Sequence, residues 1–135
     1  KNMLKITRKV EYALIALRHL RSEKDKSKLT SAKEIAEKYF IPVELLAKTM
    51  QHMSREGILE AVHGPHGGYR IKDPLEKINL RDFFEKMEGP MGLMDCFFDS
   101  DCTIVSACNI RTPIQRINEN MRSMFEKMTL SEITQ

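Results

Sequence analysis

The sequence predicts a mainly α-helical fold with one small β-hairpin. Apolar residues recur at steps of three and four along most of the 135 residues, which is the spacing of amphipathic helices. Two short segments rich in β-formers flank the turn-forming run GPHGG, a pattern typical of a hairpin. The last predicted helix is long and carries one apolar stripe. With 41% hydrophobic residues, a chain of this length can bury one modest core.

Three helices are predicted before the hairpin. Thr7 is a suitable N-cap for the first helix, which ends near the charged segment 22–28. Ser31, followed three residues later by Glu34, has the spacing of a capping box and starts the second helix. Pro42 suits the first turn of the third helix, because its missing N–H would have no partner there. Two short helices joined by a tight turn predict a helix-turn-helix.

The third predicted helix has one apolar and one polar face. Its polar face is net basic and can meet a DNA groove, as a recognition helix does. The candidate DNA-binding residues on it, beside Glu44, are Lys48, Gln51, His52 and Arg55. An ordinary solvated helix face has the same pattern, so the helix alone leaves both interpretations open.

The hairpin favours the DNA-binding interpretation. Residues 59–63 and 69–72 are predicted as its strands, and the glycines between them supply turn conformations that side chains would obstruct. Alternation along the second strand places Arg70 and Lys72 on one face, where they can contact phosphates. The candidate DNA-binding residues of this wing are His63, His66 and Arg70. A basic helix followed by a basic wing is typical of a nucleic-acid-binding surface.

Two further helices follow the hairpin. Asn79 caps the fourth helix, which ends at Gly89, and the long final helix starts at Thr112. The apolar stripe of the final helix consists of Ile114, Ile117, Met121, Met124 and Met128. Its alternating steps of three and four predict burial against a second copy of the chain, although folding back on the chain's own core is an alternative. Thr129 and Glu132 have capping-box spacing for a terminal turn.

The three cysteines of the chain form the most unusual motif. Cys96, Cys102 and Cys108 lie in one short acidic and aromatic segment, each separated from the next by five residues. Three thiolates in one segment can converge on a metal centre, and we interpret them as ligands of an iron-sulfur cluster. Zinc fits less well, because no CxxC pair is present. An odd cysteine count without an N-terminal apolar signal region predicts a cytoplasmic protein, and no stretch is apolar enough to span a membrane.

Together these motifs resemble the IscR and NsrR type of bacterial winged-helix transcription regulators, the Rrf family. The resemblance rests on LKITRKVEYAL, on SAKEIAEKY to MSREGILEAV, on HGPHGGYRI, on INLRDFFEKMEG and on the three cysteines. It implies a homodimer that binds palindromic promoter DNA, with the last helix crossing between subunits. It also implies that Cys96, Cys102 and Cys108 hold a [2Fe-2S] or a [4Fe-4S] cluster.

The resemblance also bears on the fourth cluster ligand. IscR-like members have a histidine three residues after the last cysteine, and this chain has Arg111 there. NsrR-like members use an acidic residue four positions after an N-terminal threonine, contributed by the other subunit. Thr7 and Glu11 match that spacing, so we predict Glu11 as the fourth ligand. The alternative is an exposed Glu11 that pairs with Arg8.

The expected organisation is a winged helix-turn-helix DNA-binding domain over residues 1–89, a cluster-binding loop over 90–111, and a dimerisation helix with a terminal turn over 112–135. The expected function is transcription regulation in response to redox state, nitric oxide or iron-sulfur status. A cluster-free thiol/disulfide sensor and, less favoured, a small iron-sulfur electron carrier are the alternatives. The chain has no nucleophile motif, phosphate-binding glycine loop or HExxH pattern, so no enzymatic activity is expected.

Overall fold

The fold is an α-helical domain with a two-stranded antiparallel hairpin, as predicted. A computed structural model describes residues 6–90 and 109–135. The elements of this part of the chain, in order, are α1 (Arg8–Ser22), α2 (Ala32–Tyr39), α3 (Val43–Arg55), β1 (Leu59–Val62), β2 (Gly68–Ile71), a 3-10 helix (Leu75–Lys77), α4 (Leu80–Glu88), α5 (Arg111–Glu126) and α6 (Leu130–Ile133). None of the described helices is long and apolar enough to cross a membrane.

Side chains cap the helices where the sequence predicted caps. An N-cap side-chain oxygen accepts a hydrogen bond from the backbone N–H three residues later at Thr7, Ser31, Asn79 and Thr129. At Thr129 the Glu132 carboxylate also accepts from the Thr129 N–H, which completes a capping box. These four helix starts were predictable because capping depends on residues only three positions apart.

The start of α3 differs by one position from the prediction. Pro42 has an extended ψ of 124° and precedes the helix, which begins at Val43. The Pro42 carbonyl accepts the first helical hydrogen bond from the Leu46 N–H at 3.1 Å. Pro42 therefore holds the N-cap position instead of lying in the first turn.

One hydrophobic core joins the helices. α1 packs against α3 and α4, and α2 packs against α3. The buried residues of α3 are the predicted ones, Leu46, Thr49, Met50 and Met53. Because this stripe faces α1 and α2, the opposite face of α3 lies at the surface.

The hairpin is attached to the helical core on one side. β1 pairs with β2 in a register that places Leu59 opposite Ile71 and Ala61 opposite Tyr69. The Tyr69 N–H and C=O also exchange hydrogen bonds of 2.8 and 3.0 Å with the backbone of Thr30, ahead of α2. Gly68 permits this approach, because a Cβ there would lie 2.9 Å from the Thr30 carbonyl. The wing, residues 59–71, is thus fixed beside the helix-turn-helix.

The C-terminal half of α5 packs on its own domain. The rings of Phe84 and Phe125 meet edge-on at 5.3 Å, and Arg122 forms a 3.0 Å ion pair with Glu85. Two residues of the predicted stripe, Ile117 and Met124, are exposed, whereas Ile114, Met121 and Met128 are half-buried and Met128 packs against the core. The apolar side chains at this helix that remain more than half exposed are Ile110, Ile117 and Met124, the apolar seam of α5.

Candidate nucleic-acid interface

The exposed face of α3 contains four of the polar residues that the sequence singled out. At about 100° per residue, they fall within roughly 60° of the helix circumference and lie opposite the buried stripe. This recognition face consists of Glu44, Lys48, Gln51 and Arg55, all of them exposed. It combines two cations with an amide that can both donate and accept hydrogen bonds, which suits a DNA groove.

His52 lies at the margin of the recognition face. Its side chain is only 18% exposed, and its Nε2 is 3.7 Å from a carboxylate oxygen of Glu56 on the next turn. Helical spacing places His52 about 70° away from the centre of the face. The structure therefore separates His52 from the four exposed residues with which the sequence grouped it.

The wing exposes its two predicted histidines. His63 precedes, and His66 lies within, a tight turn that is closed by a 3.0 Å hydrogen bond from the Gly67 N–H to the Gly64 carbonyl. At Gly67 a Cβ would lie 2.0 Å from the Val62 carbonyl oxygen, so only glycine fits. The turn is therefore specified by its glycines, and both imidazoles lie at the tip of the wing.

Arg70 is engaged within the wing. The register places it directly opposite Glu60, and its Nε and Nη2 atoms donate to the two carboxylate oxygens at 3.0 and 3.2 Å. A third hydrogen bond of 3.3 Å runs from Nη1 to the Ser27 carbonyl. These bonds from Arg70 lower the pKa of Glu60, and the carboxylate in turn raises the pKa of Arg70. The predicted basic edge of the wing is therefore partly neutralised.

A short buried connection fixes the wing relative to α3. The chain leaves the helix after Arg55 and reaches β1 at Leu59. The Ile58 N–H donates to the Met53 carbonyl at 2.9 Å, and the side chains of Ile58 and Leu59 are both 1% exposed. Because this link is buried and hydrogen-bonded, the base of the wing is held against α3.

The predicted cluster ligands divide between described and undescribed residues. Cys96, Cys102 and Cys108 lie outside the described residues. Glu11 occupies the first turn of α1, where its half-exposed carboxylate is 3.2 Å from the Arg8 guanidinium. Within 6–90 and 109–135, no three cysteine, histidine or acidic side chains converge as a metal site.

Two interactions near these sites were not predicted from the sequence. The Thr7 hydroxyl, besides capping α1, donates to the carboxylate of Glu88 at the end of α4. Helical spacing predicts His19 only as a surface residue. Its Nδ1 atom lies 2.8 Å from the Tyr39 hydroxyl, and this hydrogen bond connects α1 to the end of α2. Both interactions join residues far apart in sequence, so local patterns contain no signal for them.

Comparisons with known proteins agree with this geometry. The sequence profile of the Rrf2 family, described as "Iron-dependent Transcriptional regulator", matches residues 6–135. The structure is similar to CymR (YrzC), the global cysteine regulator of B. subtilis, with a TM-score of 0.72 and 23% identity over 97% of this chain and 96% of that one. It is also similar to T. potens IscR, with a TM-score of 0.67 and 19% identity over 96% and 85% of the two chains. For the oxidized form of Staphylococcus aureus CymR, the TM-score is 0.70 and the identity 22% over 98% and 97%.

Proposed function

The chain belongs to the Rrf2 family of transcription regulators, and from that premise we propose that it binds double-stranded promoter DNA through α3 and the wing. The observation that carries the proposal is the recognition face of α3. Its residues are exposed while the opposite stripe is buried, and the base of the wing packs against the same helix. A recognition helix with a wing meets the major groove and the flanking phosphates in this way. A regulator of this kind acts in the cytoplasm, where the bacterial chromosome lies, and needs no enzymatic activity.

Salt dependence and two substitutions test DNA binding. Lys48→Ala and Arg55→Ala should each weaken binding to a long mixed-sequence duplex. The logarithm of the binding constant falls linearly with the logarithm of the salt concentration, and the magnitude of this salt slope should decrease by about 1 for every phosphate that the variant no longer neutralises. Lys86→Ala removes an exposed cation from α4, a helix that is not part of the proposed interface, and is the matched control. Fluorescence anisotropy at several salt concentrations measures both quantities. Unchanged affinity in both variants would refute this interface.

We propose that the regulator is a homodimer joined through the apolar seam of α5. Ile110, Ile117 and Met124 recur every seven residues and are 53%, 54% and 53% exposed. A seven-residue apolar repeat is typical of helices that pair along their length. Two copies related by a two-fold axis would present two recognition faces, so the natural target is a palindromic site.

We further propose that Cys96, Cys102 and Cys108 hold a [2Fe-2S] or [4Fe-4S] cluster, with Glu11 of the other subunit as the fourth ligand. Of these four residues, Glu11 alone lies in the described part of the chain, and it fits the role. Its carboxylate is half-exposed at the start of α1 and is engaged there in a surface ion pair, which costs little to break. A bound cluster would supply an iron centre whose state depends on redox conditions, and a carboxylate-ligated iron would be its labile position.

Iron and sulfide content tests the cluster. Protein purified anaerobically should contain iron and acid-labile sulfide and show cluster absorption, and Cys102→Ser should lose all three. Glu11→Ala should retain the thiolates but alter the absorption spectrum, whereas Glu76→Ala, a change of another exposed glutamate, should not. Iron-free wild-type protein would refute the cluster, and an unaltered Glu11→Ala spectrum would refute only the fourth ligand.

The second candidate is a thiol/disulfide sensor that lacks a cluster. It is favoured by the similarity to the oxidized form of S. aureus CymR and by the three cysteines in one segment. Three thiols allow one disulfide and leave one thiol free. Mass spectrometry after mild oxidation of iron-free protein would detect the loss of two hydrogen atoms, their electrons going to the added oxidant. DNA binding that changes with this oxidation alone would favour the thiol sensor over the cluster.

A further inference from the structure

The turn of the helix-turn-helix contains a residue with an unusual backbone. Phe40 follows α2 in the left-handed region, with φ 58° and ψ 42°. In the described part of the chain it is the only residue other than glycine with a positive φ. Left-handed residues commonly end helices, but the position strongly favours glycine, because a Cβ is strained there.

The side chain of Phe40 is also unusual, because it is 94% exposed. Packing therefore does not compensate for the backbone strain, since almost none of the ring is removed from water. The backbone N–H of Phe40 donates to the Ala36 carbonyl, a bond that glycine would form equally well. The folded domain alone gives no reason for phenylalanine here, and an unexplained strained residue points to a role in binding.

The position of Phe40 indicates what its ring contacts. The residue comes three positions before Val43, the first residue of α3, and the N-terminal end of a recognition helix is the end that approaches base edges in the major groove. Tyr39 beside it is hydrogen-bonded to His19 of α1, which holds the turn against the domain. Val43 is itself 43% exposed, so a second apolar side chain is accessible at this end of α3.

We propose that Phe40 contacts the 5-methyl group of a thymine in the major groove and so determines part of the sequence specificity. This inference rests on the proposed DNA-binding function. A phenyl ring gains nothing from a phosphate, whereas the thymine methyl is the apolar group that the major groove offers. The backbone strain at Phe40 is then offset by a contact that exists only in the complex.

The probe is a duplex selected by the wild-type protein from a random-sequence DNA library. Phe40→Gly should bind this duplex about tenfold more weakly, the usual loss for one wrong base pair, and should bind unselected duplex as the wild type does. The same variant should unfold at a higher urea concentration than the wild type, because glycine relieves the strain. Leu45→Ala, which truncates another half-exposed apolar side chain outside the recognition face, should leave both affinities unchanged.

Replacing single thymines of the selected site by deoxyuridine identifies the contact. At one position in each half-site, loss of the methyl group should weaken wild-type binding about fourfold, as expected for one buried methyl-sized group, and should not affect Phe40→Gly. If Phe40→Gly binds and selects DNA as the wild type does, the ring contacts something other than DNA and the inference is wrong, while the proposed function stands. If the wild type selects no duplex, both are wrong.

Discussion

Charges placed in the apolar seam of α5 should convert the protein to a monomer. The double substitution Ile117→Asp and Met124→Asp puts a carboxylate at two positions that would be buried between protomers. Both side chains are more than half exposed in the single chain, so their replacement should leave its own fold intact. The ion pair of Arg122 with Glu85 and the stacking of Phe125 on α4 lie on another side of the helix and should be retained.

The magnitude follows from the exposed fractions of the two side chains. Full burial of an isoleucine or methionine side chain contributes roughly 1.5–3 kcal/mol, and about half of each remains to be buried on dimerisation. Each side chain should therefore contribute about 1 kcal/mol, and the two positions in both protomers about 4 kcal/mol. That loss raises the dissociation constant of the dimer about a thousandfold. Desolvation of the new carboxylates adds to the effect.

Sedimentation velocity over a wide range of protein concentrations measures the dissociation constant. The matched control is Ser123→Asp, which adds one such carboxylate at an exposed position on the same helix but outside the seam. Circular dichroism checks that both variants remain helical. A double variant that dimerises as tightly as the wild type would show that the protomers meet elsewhere, and the interpretation of α5 would be wrong.

Three further predictions follow from particular side chains. Glu60→Gln removes the carboxylate that holds Arg70, so Arg70 should become available to a phosphate. DNA binding should strengthen and its salt slope should steepen by about 0.9. Weaker binding would show instead that Glu60 positions Arg70 on the DNA. Burial is the main cause that lowers the pKa of His19, and nearby Lys38 is the second. The neutral imidazole should therefore contribute stability above pH 6.5, and this stability is lost as the pH falls through the lowered pKa. Urea denaturation should show a smaller loss on acidification in His19→Gln, and equal losses would contradict the assignment. Leu46→Ala, at a fully buried site, should lower the free energy of unfolding by about 2–5 kcal/mol, and a change below 1 kcal/mol would argue against this core.

The features predicted well are those that depend on neighbours three or four residues apart. The buried stripe of α3 from Leu46 to Met53 follows from helical periodicity alone, because a helix can bury only one face against the core. The N-caps at Thr7 and Asn79 are equally local, because each accepts a hydrogen bond from a backbone N–H within the same turn. Such features need no knowledge of the tertiary fold.

The features that the sequence did not reveal depend on how distant segments meet. The partner of Arg70 follows from the strand register, and a shift of one residue would have placed Glu60 on the opposite face. The hydrogen bond between His19 and Tyr39 requires α1 and the end of α2 to pack side by side. The left-handed conformation of Phe40 could not be predicted, because glycine is the residue that usually indicates it in a sequence. Phenylalanine at this position favours a different conformation.

The start of α1 is the place where the proposed sensing and DNA-binding elements meet. Glu11 lies in its first turn, and the Thr7 hydroxyl that caps it also donates to Glu88, the last residue of α4 before the cysteine segment. Farther along, α1 packs against α3, whose opposite face is the recognition face. The start of α1 thus contacts the last residue of α4, and the same helix packs against α3, the helix that we propose to read DNA. Because packed helices shift as units, a ligand that moved the first turn of α1 would act on α3 without an intervening flexible link.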